Sequence, residues 1–593
     1  MNEVEGCPGV EQGNRASCLS DLLLHSPTPW QQHPMLRHRL ESGVWKGLNR
    51  ITVQQRVLRL AAWLESQGIK PGDRVGLLGH NSVEWLISDF AILRLGAVTV
   101  PAYFTDPAEA VEYVFKDAEC SLILVEAGEQ FGKVASLAVR AIPFFGGGES
   151  VDSISRDEQW DAGPKLPTPD RNTLATLIYT SGTTGNPKGV MLTHGNLLTD
   201  VVAGLGGVDI FPEDIFLSFL PVAHAFERTV GHFLGVACGA EIAYAEDVTT
   251  LMRDMPEVKP TVMISVPRLY EKIYAGVHAR MAASAVKRFL FDKAQELGME
   301  RFKLRQKGSD LTGLKAKLWG LLDHLVNARL REKMGGHLRL FVSGGAALNP
   351  AIARFLLAAD IMVLPGYGLT ETSPVLAVNT LARIKPETVG RALPGVEIKV
   401  SDDGELLVRG PMVMQGYWKK PEATAEVLGS DGWLHTGDMV EIDDEGFIRI
   451  VDRKKELMVL NNGENVPPAV IEQHLAQDPA ILQSMVIADN RPYVAVLIVP
   501  DMDGLTLAWK KEHGSALPDD WKTNEVMRSW MLDRMHHDEH DLPTYMQVKA
   551  FAFVDHEWTQ ANGMLTPTLK VKRRAIRELH AAEIESLFEQ SES

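Results

Sequence analysis

Between Leu174 and Leu198 the chain reads LATLIYTSGTTGNPKGVMLTHGNLL. Its residue types suit the binding of a polyphosphate. An apolar strand is expected at 174–179. It runs into Thr180, Ser181, Gly182, Thr183, Thr184, Gly185 and on to Lys188, and a helical pattern starts at Thr193. Glycines let the backbone turn so that successive N–H groups point inward as an anion nest. Four hydroxyls and an ammonium add donors. The spacing excludes a Walker A loop, because Gly182 and Gly185 are three apart and Pro187 precedes Lys188. A flexible Ser/Gly linker would have no need of a lysine there.

Further along come Leu220-Pro-Val-Ala-His224, Ser343-Gly344-Gly345-Ala346, Pro365-Gly-Tyr367-Gly368-Leu-Thr370-Glu371, DGWLHTGD ending at Asp438, DRKKE over 452–456, GENVP from Gly463, and LTPTLKVKRR with Lys570 at its centre. Each has a bland reading alone: a core histidine, a surface acid, a turn, a charged linker, a basic tail. In this order they resemble the adenylate-forming superfamily, which includes acyl-CoA synthetases, firefly luciferase and peptide-synthetase adenylation domains. The resemblance covers roughly residues 50 to 575.

The resemblance implies ATP, Mg²⁺ and coenzyme A as reactants and cofactor, and a fatty acid as substrate. It implies that Gly344, Gly345 and Ala346 contact adenine, on which Tyr367 packs beside Gly368. Thr370 then contacts the α-phosphate, and Glu371 helps hold Mg²⁺. Asp438 accepts from the ribose hydroxyls and Arg453 supports the same sugar. His224 borders the acyl pocket, Lys570 is the catalytic lysine, Lys455 is the hinge, and Gly463 lines the pantetheine route. Lys572, Arg573 and Arg574 keep the bland reading of a basic tail. The LTPTLKxKR ending and a helical insertion point to medium- or long-chain acids. Only seven residues separate Lys455 from Gly463, which leaves no room for the extra segment of fatty acyl-AMP ligases. Transfer to a carrier protein and a non-catalytic lipid- or nucleotide-binding pseudoenzyme remain as alternatives, and a luciferase-like monooxygenase lacks specific support.

Strands alternating with helices must position these residues. RVGLLG from Arg74, a helix after Asn81-Ser-Val-Glu84, a strand near 97–101, a helix capped by Asp106 and a strand at 121–125 argue an α/β fold with a largely parallel sheet. Ligands of such sheets sit at the carboxyl ends of the strands. The expected architecture is multidomain α/β: a large N-terminal domain of layered sheets over 1–452 and a small mobile α+β domain over 453–593, with a hinge at 452–456. The helical insertion, about 281–340, holds thirteen Lys/Arg against six Asp/Glu between Lys287 and Arg339, a net of +7. Such runs are usually solvated helical faces, the preferred reading; the other is a surface that meets anionic lipid.

The 593-residue chain carries a net charge of −17, which disfavours nucleic acid as a partner. Four scattered cysteines suggest reduced thiols without a zinc site. Acids near the start and the lack of an 18-residue apolar run suggest a soluble, cytoplasmic protein, with peripheral contact at the inner membrane surface as an option. His536 and His540, four apart, are read as part of an exposed charged turn rather than a metal pair.

Overall fold

The computed structural model describes residues 8–180, 186–282, 284–539, 542–566 and 570–589. Two large sheets carry most of the chain up to residue 420. In one, the strands Val98–Ala102, Arg74–Leu78 and Leu122–Val125 run parallel, as their unbroken apolar text requires of strands covered on both faces. In the other, Ile215–Ser218, Val262–Ser265, Leu340–Ser343 and Met362–Tyr367 run parallel side by side. Helix Val83–Arg94 follows the first strand as expected, its N-terminus capped by Ser82, whose Oγ accepts from the Trp85 N–H at 3.2 Å.

A third, four-stranded antiparallel sheet contains Leu434–Ile442 and Ile448–Arg453. One extended apolar core runs from Ala16 to Ile448. After Met458 the chain builds a three-stranded sheet around Val494–Pro500, buried at all but its last residue. Separate apolar clusters form around alternate residues of that strand: Val494, Val496 and Ile498 belong to one, Ala495, Leu497 and Val499 to the other. No helix among the described residues is long and apolar enough to cross a membrane.

Helix His194–Gly207 starts where its pattern was expected, capped by Thr193, whose side chain accepts from the Asn196 N–H; before it Lys188–Thr193 is a strand antiparallel to Leu174–Thr180. Two expectations need correction. Asp106 does not cap the following helix, which spans Ala108–Asp117 with Pro107 at the cap position. His536 lies on helix Glu525–Asp538 rather than in a turn, and its Nε2 meets the Val548 carbonyl at 2.7 Å; His540 lies outside the described residues.

A buried charge cluster fastens the first sheet to the segment after His224. Arg228 donates through Nε and Nη2 to the two carboxylate oxygens of Asp89, at 2.8 and 2.5 Å, and through Nη1 to Thr176 Oγ1 at 2.7 Å. Thr176 in turn donates to the Thr99 carbonyl, and the Thr99 hydroxyl donates to Asp89. Both charged side chains are almost fully buried. Removing one partner of such a pair leaves a charge without compensation. Asp89→Asn is therefore expected to lower stability by about 3–5 kcal/mol in urea titrations; a loss below about 1 kcal/mol would contradict this role for the pair.

Candidate active site

The carboxyl ends of three parallel strands set out the centre of the site. Register pairs Ser265 with Ser343 and Ser343 with Pro365, so the Gly344–Ala346 turn and the Tyr367–Glu371 segment emerge side by side. Gly344 is buried against Phe226, and a Cβ there would come within 2.7 Å of that ring. Gly345 has φ +80, while Gly345 and Ala346 are exposed. At Gly368 a Cβ would lie 1.7 Å from the Pro374 carbonyl oxygen, so the turn before Thr370 closes only with glycine.

The third sheet reaches the same place. Asp438 and Arg453 are cross-strand neighbours, which is why residues fifteen apart in sequence form an ion pair, Arg453 Nε to Asp438 Oδ1 at 3.0 Å. Tyr367 donates its hydroxyl to Asp438 Oδ2 at 2.6 Å. Burial and the adjacent Asp438 carboxylate push the Tyr367 hydroxyl well above its usual pKa, so it remains a donor. Each Asp438 oxygen has a second lone pair and can accept from a diol. Burial works to lower the Arg453 pKa, but Asp438 and Glu456 outweigh it and the guanidinium is held charged.

Thr180 and Lys188 face each other across the hairpin of the glycine-rich loop. Ser181, Gly182, Thr183, Thr184 and Gly185 lie outside the described residues. Lys188 Nζ lies 5.0 Å from the centre of the Tyr417 ring, and Tyr417 donates to Glu371 Oε1 at 2.8 Å. Tyr417 therefore joins the loop lysine to the carboxylate. Sequence reasoning missed it because its place depends on the two-residue strand Gly416–Tyr417 pairing with the hairpin. Glu371 keeps its other carboxylate oxygen, a donor set of one carboxylate that suits a hard cation completing its shell with phosphate oxygens. No group of three His, Cys, Asp or Glu among the described residues could hold a metal alone.

Beside Lys570 the chain pairs with itself: Leu565 bridges to Val571 and the Thr566 N–H donates to the Lys570 carbonyl at 2.8 Å, while residues 567–569 lie outside the described residues. The Lys570 side chain remains accessible, yet surrounding protein and the Arg453 guanidinium lower its pKa, opposed by Asp438, Glu456 and Glu371. Those opposing charges include groups of the first part of the chain, so Lys570 lies within electrostatic reach of the Glu371 and Asp438 segments. Its neighbours are not a loose tail. Arg573 makes a two-pronged pair with Glu472 at 2.7 Å, and Lys572 acts on Asp106, whose carboxyl burial raises to about 6. Lys572 and Arg574, the latter paired with Glu578, are exposed, while Arg573 is partly buried.

His224 is held at about pKa 4, first by burial and then by the Lys570 ammonium. Its Nδ1 accepts from the Phe226 N–H at 3.2 Å, which puts the proton of the neutral ring on Nε2. Its segment is braced from below: Asn81 accepts from the Val222 N–H and donates to the Leu220 carbonyl and Ser218 Oγ, and Ser218 donates to Glu227 at 2.6 Å. Lys455 is exposed, directly after Lys454, which pairs with Asp403 and Glu405. Gly463 has φ +88 with open space where a Cβ would stand, so its backbone rather than local crowding calls for glycine.

Fold and site together define an AMP-binding enzyme. The family of that description matches residues 31–418, and the AMP-binding enzyme C-terminal domain matches 455–592. The chain belongs to this family. It is 34% identical over 573 residues to the long-chain-fatty-acid–CoA ligase FadD15 of Mycobacterium tuberculosis, covering 93% of this chain and 94% of that protein. It is 32% identical to the peroxisomal long chain acyl-CoA synthetase 7 of Arabidopsis thaliana, covering 96% and 86%. A solved structure of the A-PCP didomain of carboxylic acid reductase from Segniliparus rugosus in complex with AMP shares the fold, with TM-score 0.75 and 20% identity over 98% of this chain and 84% of that one.

Burial raises the Glu227 carboxyl to about 8, partly offset by the Ser218 hydrogen bond. The unfolded chain releases that proton near the ordinary carboxylate value, so the folded state binds it more tightly. The resulting stabilisation is full below about pH 4.5 and is lost as pH rises towards 8. Glu227→Gln is expected to remove this slope, so that the stability gap between wild type and variant changes by a few kcal/mol, on the order of one per pH unit, between pH 5 and 8. Parallel urea stability curves across that range would rule it out.

Proposed function

We propose that the protein is an AMP-forming long-chain-fatty-acid–CoA ligase. The observation that carries the reading is the Lys570 ammonium facing Glu371, Asp438 and Arg453 from the far end of the chain. Support for a long-chain acid comes from the names and the nearly complete overlap of the relatives.

A carboxylate is a poor electrophile because it is anionic and its oxygen leaves badly. In the first step a fatty acid carboxylate oxygen attacks the α-phosphorus of ATP, the bond to the bridging oxygen breaks, and pyrophosphate departs. The product is an acyl-AMP mixed anhydride. In the second step the thiol of coenzyme A loses its proton, its sulfur attacks the acyl carbon, and AMP leaves with the bonding pair.

The protein's work is positioning and charge neutralisation. Tyr367 and the Gly344–Ala346 turn would take the adenine, and Asp438 with Arg453 the ribose. Lys188 and the loop from Thr180 to Gly185 would take the β- and γ-phosphates. Thr370 would contact the α-phosphate, and Glu371 would hold Mg²⁺, which supplies positive charge to the phosphate oxygens. Lys570 would stand between the carboxylate and the α-phosphate, where charge concentrates in the transition state. His224, neutral with Nε2–H, would border the acyl chain.

Lys570 serves only the first step. The division at 452/453 and a pivot at Lys455 would let the second part of the chain swing away and bring the Gly463 surface to the thiol. Arg453 is still locked into the third sheet and Lys454 is tied to Asp403 and Glu405, while Lys455 has no ion pair among the described residues, which supports a pivot at that residue. The short path from Lys455 to Gly463 favours coenzyme A over a carrier protein as acceptor.

Lys570→Ala is expected to reduce pyrophosphate release from ATP and oleate by about 100-fold or more. The same variant, given oleoyl-AMP and coenzyme A, should form thioester within about tenfold of wild type. Equal loss in both half-reactions would overturn the assignment of Lys570, and release without any thioester would overturn coenzyme A as acceptor.

A further inference from the structure

The basic insertion is a helical hairpin. Helix Ala285–Arg305 packs against a second helical run formed by Gly313–Leu322, Asp323–Asn327 and Ala328–Lys333. Ala294, Leu297, Trp319 and Leu322 are buried between the two. The second run carries another apolar stripe that this core does not use. Leu314, Leu318, Leu321 and Leu325 recur at intervals of four, three and four residues, so they share one helix face. They are 84%, 47%, 57% and 41% exposed.

Four exposed leucines in one line are a costly surface unless something covers them. Cations border the stripe: Lys317 lies one turn before Leu321 and Arg329 one turn after Leu325, both exposed and both without an ion pair among the described residues. Lys315, next to Leu314, pairs with Glu300. Across 287–339 the charge is +7, in a chain of −17.

We propose that this face docks on a phospholipid bilayer bearing anionic headgroups. Leucines would enter the boundary between headgroups and acyl chains, and the flanking lysine and arginine would meet the phosphates. Charge complementarity selects this occupant over a second copy of the chain. Two copies packed about a twofold axis would bring Lys317 and Arg329 against a like-charged surface. The stripe is also only about 16 Å long at 1.5 Å per residue, short of the three to four heptads of a stable coiled coil. The remainder of the acidic chain repels the same membrane, so only this face is presented. The docking would give the ligase access to fatty acids dissolved in the bilayer, yet the surface argument stands without the ligase reading.

The test is flotation of the full chain, without substrates, on vesicles of phosphatidylcholine alone or with about one third phosphatidylglycerol. Wild type should bind the anionic vesicles and lose binding as salt rises. Both Leu318→Gln/Leu321→Gln/Leu325→Gln and Lys317→Glu/Arg329→Glu should weaken binding by about tenfold or more, with unchanged melting and unchanged pyrophosphate release on soluble octanoate. Equal wild-type binding to neutral and anionic vesicles would overturn the proposal, as would either variant floating like wild type. A concentration-dependent dimer in sedimentation velocity, abolished by the leucine variant while flotation persists, would assign the stripe to a second copy. A failed flotation leaves the ligase reading intact, because the vesicle assay contains no reaction.

Discussion

The guanidinium of Arg228 sits where water cannot reach it, and the arrangement around it is a response to that constraint. A buried cation must be matched in charge and in hydrogen bonds, so Asp89, Thr176 and Thr99 converge on it from a helix and two strands of the first sheet. Arg228 itself belongs to the π-helical stretch Glu227–Phe233 that comes after the His224 segment. The pair therefore sets the depth at which that segment lies against the first sheet. Asn81, Ser218 and Glu227 set its lateral position. The position of a neutral His224 beside Lys570 is a consequence of polar groups buried well below it.

The site itself is assembled from three sheets that no local sequence signal connects. Strand ends of one provide the glycine turn and the Tyr367–Glu371 segment, a hairpin of another provides Lys188, and the third provides Asp438 with Arg453. Tyr367 and Tyr417 are the joints. Each donates to a carboxylate on a different element, Asp438 and Glu371, and each hydroxyl is kept protonated by that carboxylate and by burial. Two phenols thus hold three sheets in register around the candidate site.

Much of this was legible in the residues. Glycine, hydroxyl and lysine at close spacing give the expectation of phosphate binding because that chemistry is local, and the apolar runs read at 74–79, 97–101 and 121–125 fall on buried parallel strands for the same reason. What was not legible depended on partners far along the chain. KGVMLT is a strand because it pairs with Leu174–Thr180 and with Gly416–Tyr417, partners that its own residues do not announce. Asp106 has the residue type of a cap, but it lies beside Lys572, more than 450 residues away. Arg573 reads as tail charge until Glu472 is found opposite it.

The three-stranded sheet after Met458 has a mechanical consequence. Its central strand has an apolar cluster on each face, and dense packing on both sides resists shear and bending alike. Such a plate transmits displacement and does not absorb it. The Leu565–Val571 bridge next to Lys570 is mounted on one of those clusters through both of its residues. The reach of the Lys570 ammonium is therefore set by the stiffness of the plate, and a small angular change at the plate's root becomes a translation of several ångströms at the lysine.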